Sequence, residues 1–488
     1  MLAAAAPYLP YPHWLSPGDN SWQLTAATLV GLMSVPGLVV LYGGIMQKRW
    51  SVNSMMLAFV AFAVVLVVWV LWAFKMGFGS PWFNRVAGHQ TLLNDFIGTP
   101  GTVLGHADQQ GRAIIPLLSG AQPDFRFPKS SLVYFQFVFA AITPILMLGS
   151  VLGRVNFKAW AIFLVPWMTL VYTVNAFLIW GGGFWAHKGA IDYSGGYVIH
   201  LTAGVSGFVA AAVIGPRLRR DREVDAPNNM AMVAVGAGLL WLGWNGFNGG
   251  DPYFASADAS AAVLNTNLCT AVAFLVWVLC DYATRRKPSM IGSVNGMIVG
   301  LVAITPAAGY VNGYGAMAIG AIGSILVYIA YNYLSRLRPF RNVDDTLGVV
   351  YTHGFAGLAG GLLTGIFADP LMKVYLGQGK ASDIAATGAI HGNWTLLKWQ
   401  ALAALSVIVW SGAVTFILLK LVGLVVPLRM SERDMEVGDI AVHGHEVYPA
   451  DVPSLGYTGG SPAWTPTPAA AGAGGGPSAP SAPAAPSS

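Results

Sequence analysis

Eleven apolar segments recur along this 488-residue chain, at roughly 22–45, 52–76, 131–152, 159–180, 193–215, 230–250, 260–281, 290–308, 314–335, 346–368 and 399–426. Each is long enough to cross a hydrocarbon layer of about 30 Å as a helix. Inside lipid, backbone N–H and C=O groups find no water, so a spanning segment must satisfy them internally. The expected fold is therefore all-α and polytopic, with eleven transmembrane helices. Composition agrees: 55% of residues are hydrophobic and 10% are charged, where a soluble chain carries about a quarter charged. The 59 glycines suit helices that pack closely in a membrane. An odd number of spans places the two termini on opposite sides.

Basic residues indicate which side is which. Alternate loops hold Lys48 and Arg49; Arg154 and Lys158; Arg217, Arg219, Arg220 and Arg222; Arg285, Arg286 and Lys287; Arg336, Arg338 and Arg341; and Arg429 and Arg433, which is 16 of the 26 Lys and Arg. The opposite loops contain 8, spread over far more sequence. The positive-inside rule makes the first set cytoplasmic, with the N-terminus outside and the C-terminus inside. The net charge of +5 follows from this asymmetry and is not a nucleic-acid footprint.

Two stretches 153 residues apart share one spaced pattern. Asp192 to Gly207 reads DYSGGYVIHLTAGVSG, and Asp345 to Gly360 reads DTLGVVYTHGFAGLAG. In each, a histidine follows the aspartate by eight residues, then Ala-Gly at the third and fourth positions and Gly at the seventh. At 1.5 Å per residue, this spacing predicts an imidazole about 12 Å along a helix from the carboxylate, near mid-membrane. The first copy lies in span five and the second in span ten, so two inverted five-helix repeats plus one extra helix are expected. Such repeats place a transport site at their shared interface. His200 and His353 then converge from opposite faces. A reading of each histidine as a satisfied core residue is weakened by their duplication at matching depth.

Other segments add organisation. Residues 1–20 form an extracytoplasmic N-terminal segment without the basic region of a secretory signal. Residues 79–130 form a long polar loop expected to cap the outer face. Residues 21–428 make the membrane domain, 429–448 a cytoplasmic region, and 449–488 a Pro/Ala/Gly/Ser-rich tail expected to be disordered. Cys269 and Cys280 are eleven residues apart in one span, about 16 Å along a helix, too far for a disulfide. Neither a zinc-ligand spacing nor HExxH or GxSxG occurs, so no metal, cofactor or hydrolytic activity is expected.

The motifs DYSGGYVIHLTAGVSGFVAA, WGGGFWAHKGAIDY, WLGWNGFNGGDPY and the run DD-x7-HG-x-AG beginning at Asp344 together resemble the ammonium transporter (Amt/Mep/Rh) family. GGDPY and GDIAVHG look most like its Mep-like branch, which includes the second class of plant transporters. The resemblance implies a homotrimer in the cell membrane, lipid on its outer face, and a narrow apolar pore in each protomer. It implies that Trp180, Phe139, Asp192 and Trp244 recruit ammonium, or methylammonium as analogue, partly by cation–π attraction. Phe139 and Phe247 would be stacked gates, and His200 and His353 would line the pore below, sharing one ring hydrogen bond. A trimeric PII-class signalling protein at the cytoplasmic face and an ammonium sensor using the same site are further expectations. Departures from the family pattern fall in three places: Asp251 stands in the recruitment region where a serine is common, open to two readings, stronger cation capture or a cap on a helix end; in the second repeat Gly348 stands where an aspartate is frequent, with Tyr351 and Thr352 in place of smaller or aliphatic residues; and His445 stands where a glutamate is usual.

Overall fold

Helices build this structure, a computed structural model that describes residues 10–83, 91–118, 123–224, 226–376 and 383–448. Residues 1–9 and the tail 449–488 lie outside the described residues. Among the described residues nine helices are long and apolar enough to cross a membrane: Pro17–Ile45, Lys48–Phe78, Lys129–Leu148, Phe157–Lys188, Gly196–Ile214, Met230–Gly249, Ala257–Arg285, Gly313–Arg336 and Trp394–Gly423. The segment expected at 290–308 is a helix of 15 residues, Met290–Ile304, cut short because Pro306 cannot donate the next helical bond. The segment expected at 346–368 is Val350–Phe355 continued by Ala356–Phe367.

Polar residues at the starts explain where several helices begin. Ser16, Asn156, Asn229, Ser289, Asn312 and Asn393 each accept a backbone N–H from the first turn with the side-chain oxygen. That satisfies donors a helix end otherwise leaves orphaned. One element departs from an all-α reading. Lys373–Tyr375 and Asp383–Ala385 pair as a short antiparallel ribbon, with Val374 opposite Ile384. Its three-residue strands carry too little periodicity to be seen in sequence.

Loops gather on two faces. On one, Asp124 N–H donates to the Leu376 carbonyl, Phe184 N–H to that of Asp95, and Tyr375 N–H to the Asp258 carboxylate. The described residues of the segment 79–130 contribute to this face. On the other, the basic loops interlock: Asn228 N–H donates to the Met46 carbonyl, Asn156 N–H to that of Leu428, and Arg217 pairs with Asp344 at 2.9 Å. The C-terminal segment docks here too, where the Asp439 carboxylate accepts the N–H groups of Val52 and Asn53, both at 2.8 Å.

The two helices that carry the repeat cross near the middle of the bundle. A Cβ placed on Gly204 would lie 2.3 Å from Gly354 Cα, and one on Gly357 would lie 2.4 Å from the Gly196 carbonyl oxygen. Only glycine permits so close a crossing, which brings the two histidines together.

Candidate functional site

The His200 and His353 helices begin in the same way. Asp192 Oδ2 accepts the N–H groups of Tyr197 and Val198 at 2.9 and 3.0 Å, and Oδ1 accepts that of Gly195 at 3.2 Å. Asp345 Oδ2 accepts Val350 N–H at 2.8 Å. Three residues after each aspartate stands a glycine at positive φ, Gly195 at 110° and Gly348 at 72°. These let the chain turn from the capping carboxylate into the helix. Gly348 is therefore the structural counterpart of Gly195. The 12 Å helical spacing needs correction, because each aspartate precedes its helix and caps it. Both histidines also lie in wide π-type turns, Gly196–Leu201 and Val350–Phe355, a form common at functional sites.

A column of rings runs through the site. Phe139 meets Trp180 edge-on at 6.1 Å and Phe247 at 4.3 Å. Phe247 stacks on His200 at 5.8 Å, and His200 on His353 at 5.4 Å, the imidazoles 19° from parallel. The two imidazole planes are thus nearly parallel, and the ring hydrogen bond expected from sequence is not formed. Trp244 explains the stack, lying parallel to His200 at 5.4 Å and tied by Nε1 to Thr305 Oγ1 at 3.0 Å. Both ring nitrogens of His200 and Nδ1 of His353 are buried without a hydrogen-bond partner among the described residues.

A cavity lies at each end of this column. One, of about 550 Å³, is lined by Trp180, Asp192, Asp251, Tyr253, Tyr310 and Trp399 among others. The second, of about 40 Å³, is lined by His353, Trp244, Tyr42, Thr352, Asn295 and aliphatic side chains. Phe139 and Phe247, both fully buried, line neither cavity and stand between the vestibule and the histidines. Trp180, Phe139, Asp192 and Asp251 are brought together at the vestibule end. Trp244 is not with them; it stands beside His200 and faces the smaller cavity.

Ser194 and Tyr253 belong to the site and were not singled out in sequence. The Ser194 hydroxyl lies 2.7 Å from both the Asp251 carboxylate and the Phe247 carbonyl. Gln136 Nε2 donates to the Tyr253 hydroxyl at 3.1 Å. Serine midway between an aspartate and a helix start carries no distinctive spacing, so only the fold exposes its role.

Burial shapes the charges at both helix starts. It pushes Asp192 up to about 6, against the pull of its backbone N–H partners. Burial also raises Asp251 well above the ordinary carboxylate range, opposed by the Ser194 hydrogen bond and reinforced by the charge of Asp192. Asp344, beside the second cap, experiences the same burial, but the hydrogen bonds and charge of Arg217 hold it below its usual value. Among the described residues no group of three or more His, Cys, Asp or Glu side chains is placed to hold a metal ion.

A helical bundle with nine apolar membrane-length helices among the described residues, in which two helices capped from opposite faces meet at a column of rings, has the architecture of a multi-pass membrane transport protein. The family model for the Ammonium Transporter Family matches residues 21–448, and the chain belongs to that family. It is 50% identical to Ammonium transporter 3 member 2 of Oryza sativa subsp. japonica, over 89% of this chain and 90% of that one. Ammonium transporter 2 of Arabidopsis thaliana is 48% identical over 92% of each. The crystal structure of Saccharomyces cerevisiae Mep2 superposes with a TM-score of 0.72 at 30% identity, covering 86% of this chain and 89% of that one.

Proposed function

We propose that this protein moves ammonium across the cell membrane by recruiting the cation at the vestibule, deprotonating it and passing neutral ammonia between His200 and His353. The observation that carries this reading is the ring column. Two fully buried phenylalanines with centroids 4.3 Å apart separate a vestibule bearing two carboxylates from paired imidazoles with unbonded nitrogens. An intact cation would lose its hydration in this apolar constriction at great cost, whereas a small neutral amine would not. Trp180 and Phe139 supply aromatic faces for cation–π attraction, and Asp192 and Asp251 supply negative charge. Trp244 holds the His200 ring in orientation.

The reading includes eleven spans, with Met290–Ile304 and Val350–Phe367 added to the nine longer helices. It places the vestibule outside and the face of interlocked basic loops in the cytoplasm, by the distribution of Lys and Arg. It also includes assembly as a homotrimer surrounded by lipid, and a PII-class partner at the cytoplasmic face. The test is uptake of methylammonium by the reconstituted protein. His200→Ala and His353→Ala should each lower uptake by at least about tenfold, the equivalent of 1.4 kcal/mol in barrier. Wild-type rates in both variants, with insertion verified, would refute the pore assignment.

A further inference from the structure

Two carboxylates line the vestibule, but their surroundings suit them to different work. Asp192 is committed to its helix start, with three backbone N–H groups on its two oxygens. Protonating it would weaken bonds that hold the His200 helix. Asp251 is held otherwise. It sits in the turn after Gly249, where Tyr253 N–H donates to the Gly250 carbonyl and Tyr253 adopts a φ of 66°. A non-glycine residue in that left-handed region costs roughly 1–2 kcal/mol, so the turn is held in a strained form that fixes Asp251 against the vestibule wall. Asp251 is 6% exposed, and the Ser194 and Tyr253 hydroxyls both donate to its carboxylate.

Ser194 makes this carboxylate a two-state group. One hydroxyl proton faces two acceptors, Asp251 Oδ2 and the Phe247 carbonyl, each 2.7 Å from Oγ. When Asp251 is ionised, the hydroxyl donates to it. When Asp251 holds a proton, it donates to Ser194 Oγ, and the hydroxyl turns to the Phe247 carbonyl. In both states the Ser194 hydroxyl keeps an acceptor without moving a heavy atom. The second state ties the proton to the backbone of a gate residue.

Resting on the transport reading above, we propose that Asp251 is the base that takes the proton from ammonium at the mouth of the gate. An N–H bond of ammonium breaks, its electron pair stays on nitrogen, and an O–H bond forms on the Asp251 carboxylate. Neutral ammonia proceeds past Phe247. Asp251 then returns the proton to water in the vestibule that it lines, and Ser194 turns back.

The electrostatic setting suits such a base. The titratable groups facing Asp251 are Asp192 and Tyr193 beside Ser194, Tyr253 on its own turn, Tyr172 from the Phe157–Lys188 helix, and Tyr310 from the turn after Met290–Ile304. No basic side chain pairs with it among the described residues. Burial raises its proton affinity, and an arriving cation favours the ionised form. The carboxylate is thus charged beside ammonium and neutral once the charge has gone.

The experiment uses the full chain in liposomes, with the maximal ammonium flux followed by internal pH over a range of external pH. Asp251→Asn should lower the maximal rate by roughly 10²-fold, the scale of a lost general base, beyond any rise in KM from the lost charge. Asp251→Glu should keep flux and move its pH midpoint. Ser194→Ala removes a bond that stabilises the charged form, so its midpoint should move to higher pH. A raised KM with an unchanged maximal rate in Asp251→Asn would overturn the proposal, since the residue would then only attract the cation. If that variant fails to insert, wild-type midpoints in both Asp251→Glu and Ser194→Ala overturn it. Absence of flux in the wild type would remove the transport reading itself, a separate result.

Discussion

Asp192 and Asp345, 153 residues apart, begin the two histidine-bearing helices from opposite faces with the same device: a carboxylate on the first backbone N–H groups and a positive-φ glycine three residues on. This shared start sets the depth of each imidazole.

Asp192→Asn should leave the fold intact, since the amide oxygen still accepts the backbone N–H groups, but should remove charge from the vestibule. Its KM for methylammonium should rise several-fold, while Asp192→Ala should also lower thermal stability by about 1 kcal/mol, as lost caps do. Uptake kinetics and melting in detergent report these separately.

External pH should act through the same carboxylate. With Asp192 pushed up to about 6, its charge is present above that pH and lost as pH falls through it. Wild-type KM should therefore climb between pH 6.5 and 5, and the KM of Asp192→Asn should show no such step. The stability sign is opposite. The folded state binds this proton more tightly than the unfolded chain, so the contribution of Asp192 to stability falls as pH rises from about 4 to about 6 and is level above.

Gly204→Ala should cost roughly 1–3 kcal/mol by overpacking, because the new methyl would lie 2.3 Å from Gly354 Cα. Gly238→Ala, which meets nothing within 4 Å, is the matched control and should melt with the wild type. Equal melting of both variants would mean that the crossing is looser than described.

Phe247→Ala removes one ring of the 4.3 Å gate contact and should admit water and small cations to the histidines. Potassium flux into liposomes, negligible for the wild type, should become measurable in this variant.

Asp439→Ala strips the acceptor from Val52 and Asn53 N–H and should loosen the C-terminal segment by about 1 kcal/mol. Limited proteolysis between Ser431 and Val447 should accelerate, with the membrane core still protected.

Much of this arrangement is legible before any coordinates. Long apolar runs force helices because lipid leaves the backbone no other partner, and the repeated Asp-x7-His spacing pairs His200 with His353. Motif resemblance groups Trp180, Phe139 and Phe247, and in the structure the Phe139 ring contacts the other two. Other relationships depend on residues distant along the chain. The nearly parallel imidazoles require Trp244 and the glycine crossing, and the Ser194 hydroxyl acquires its two acceptors only when the turn after Gly249 folds against the His200 helix start. Local chemistry and periodicity set which segments become helices and which side chains carry charge, since those depend on near neighbours in sequence. Ring stacking, cavity shape and the sharing of one proton depend on close three-dimensional distances, which packing of the whole bundle establishes.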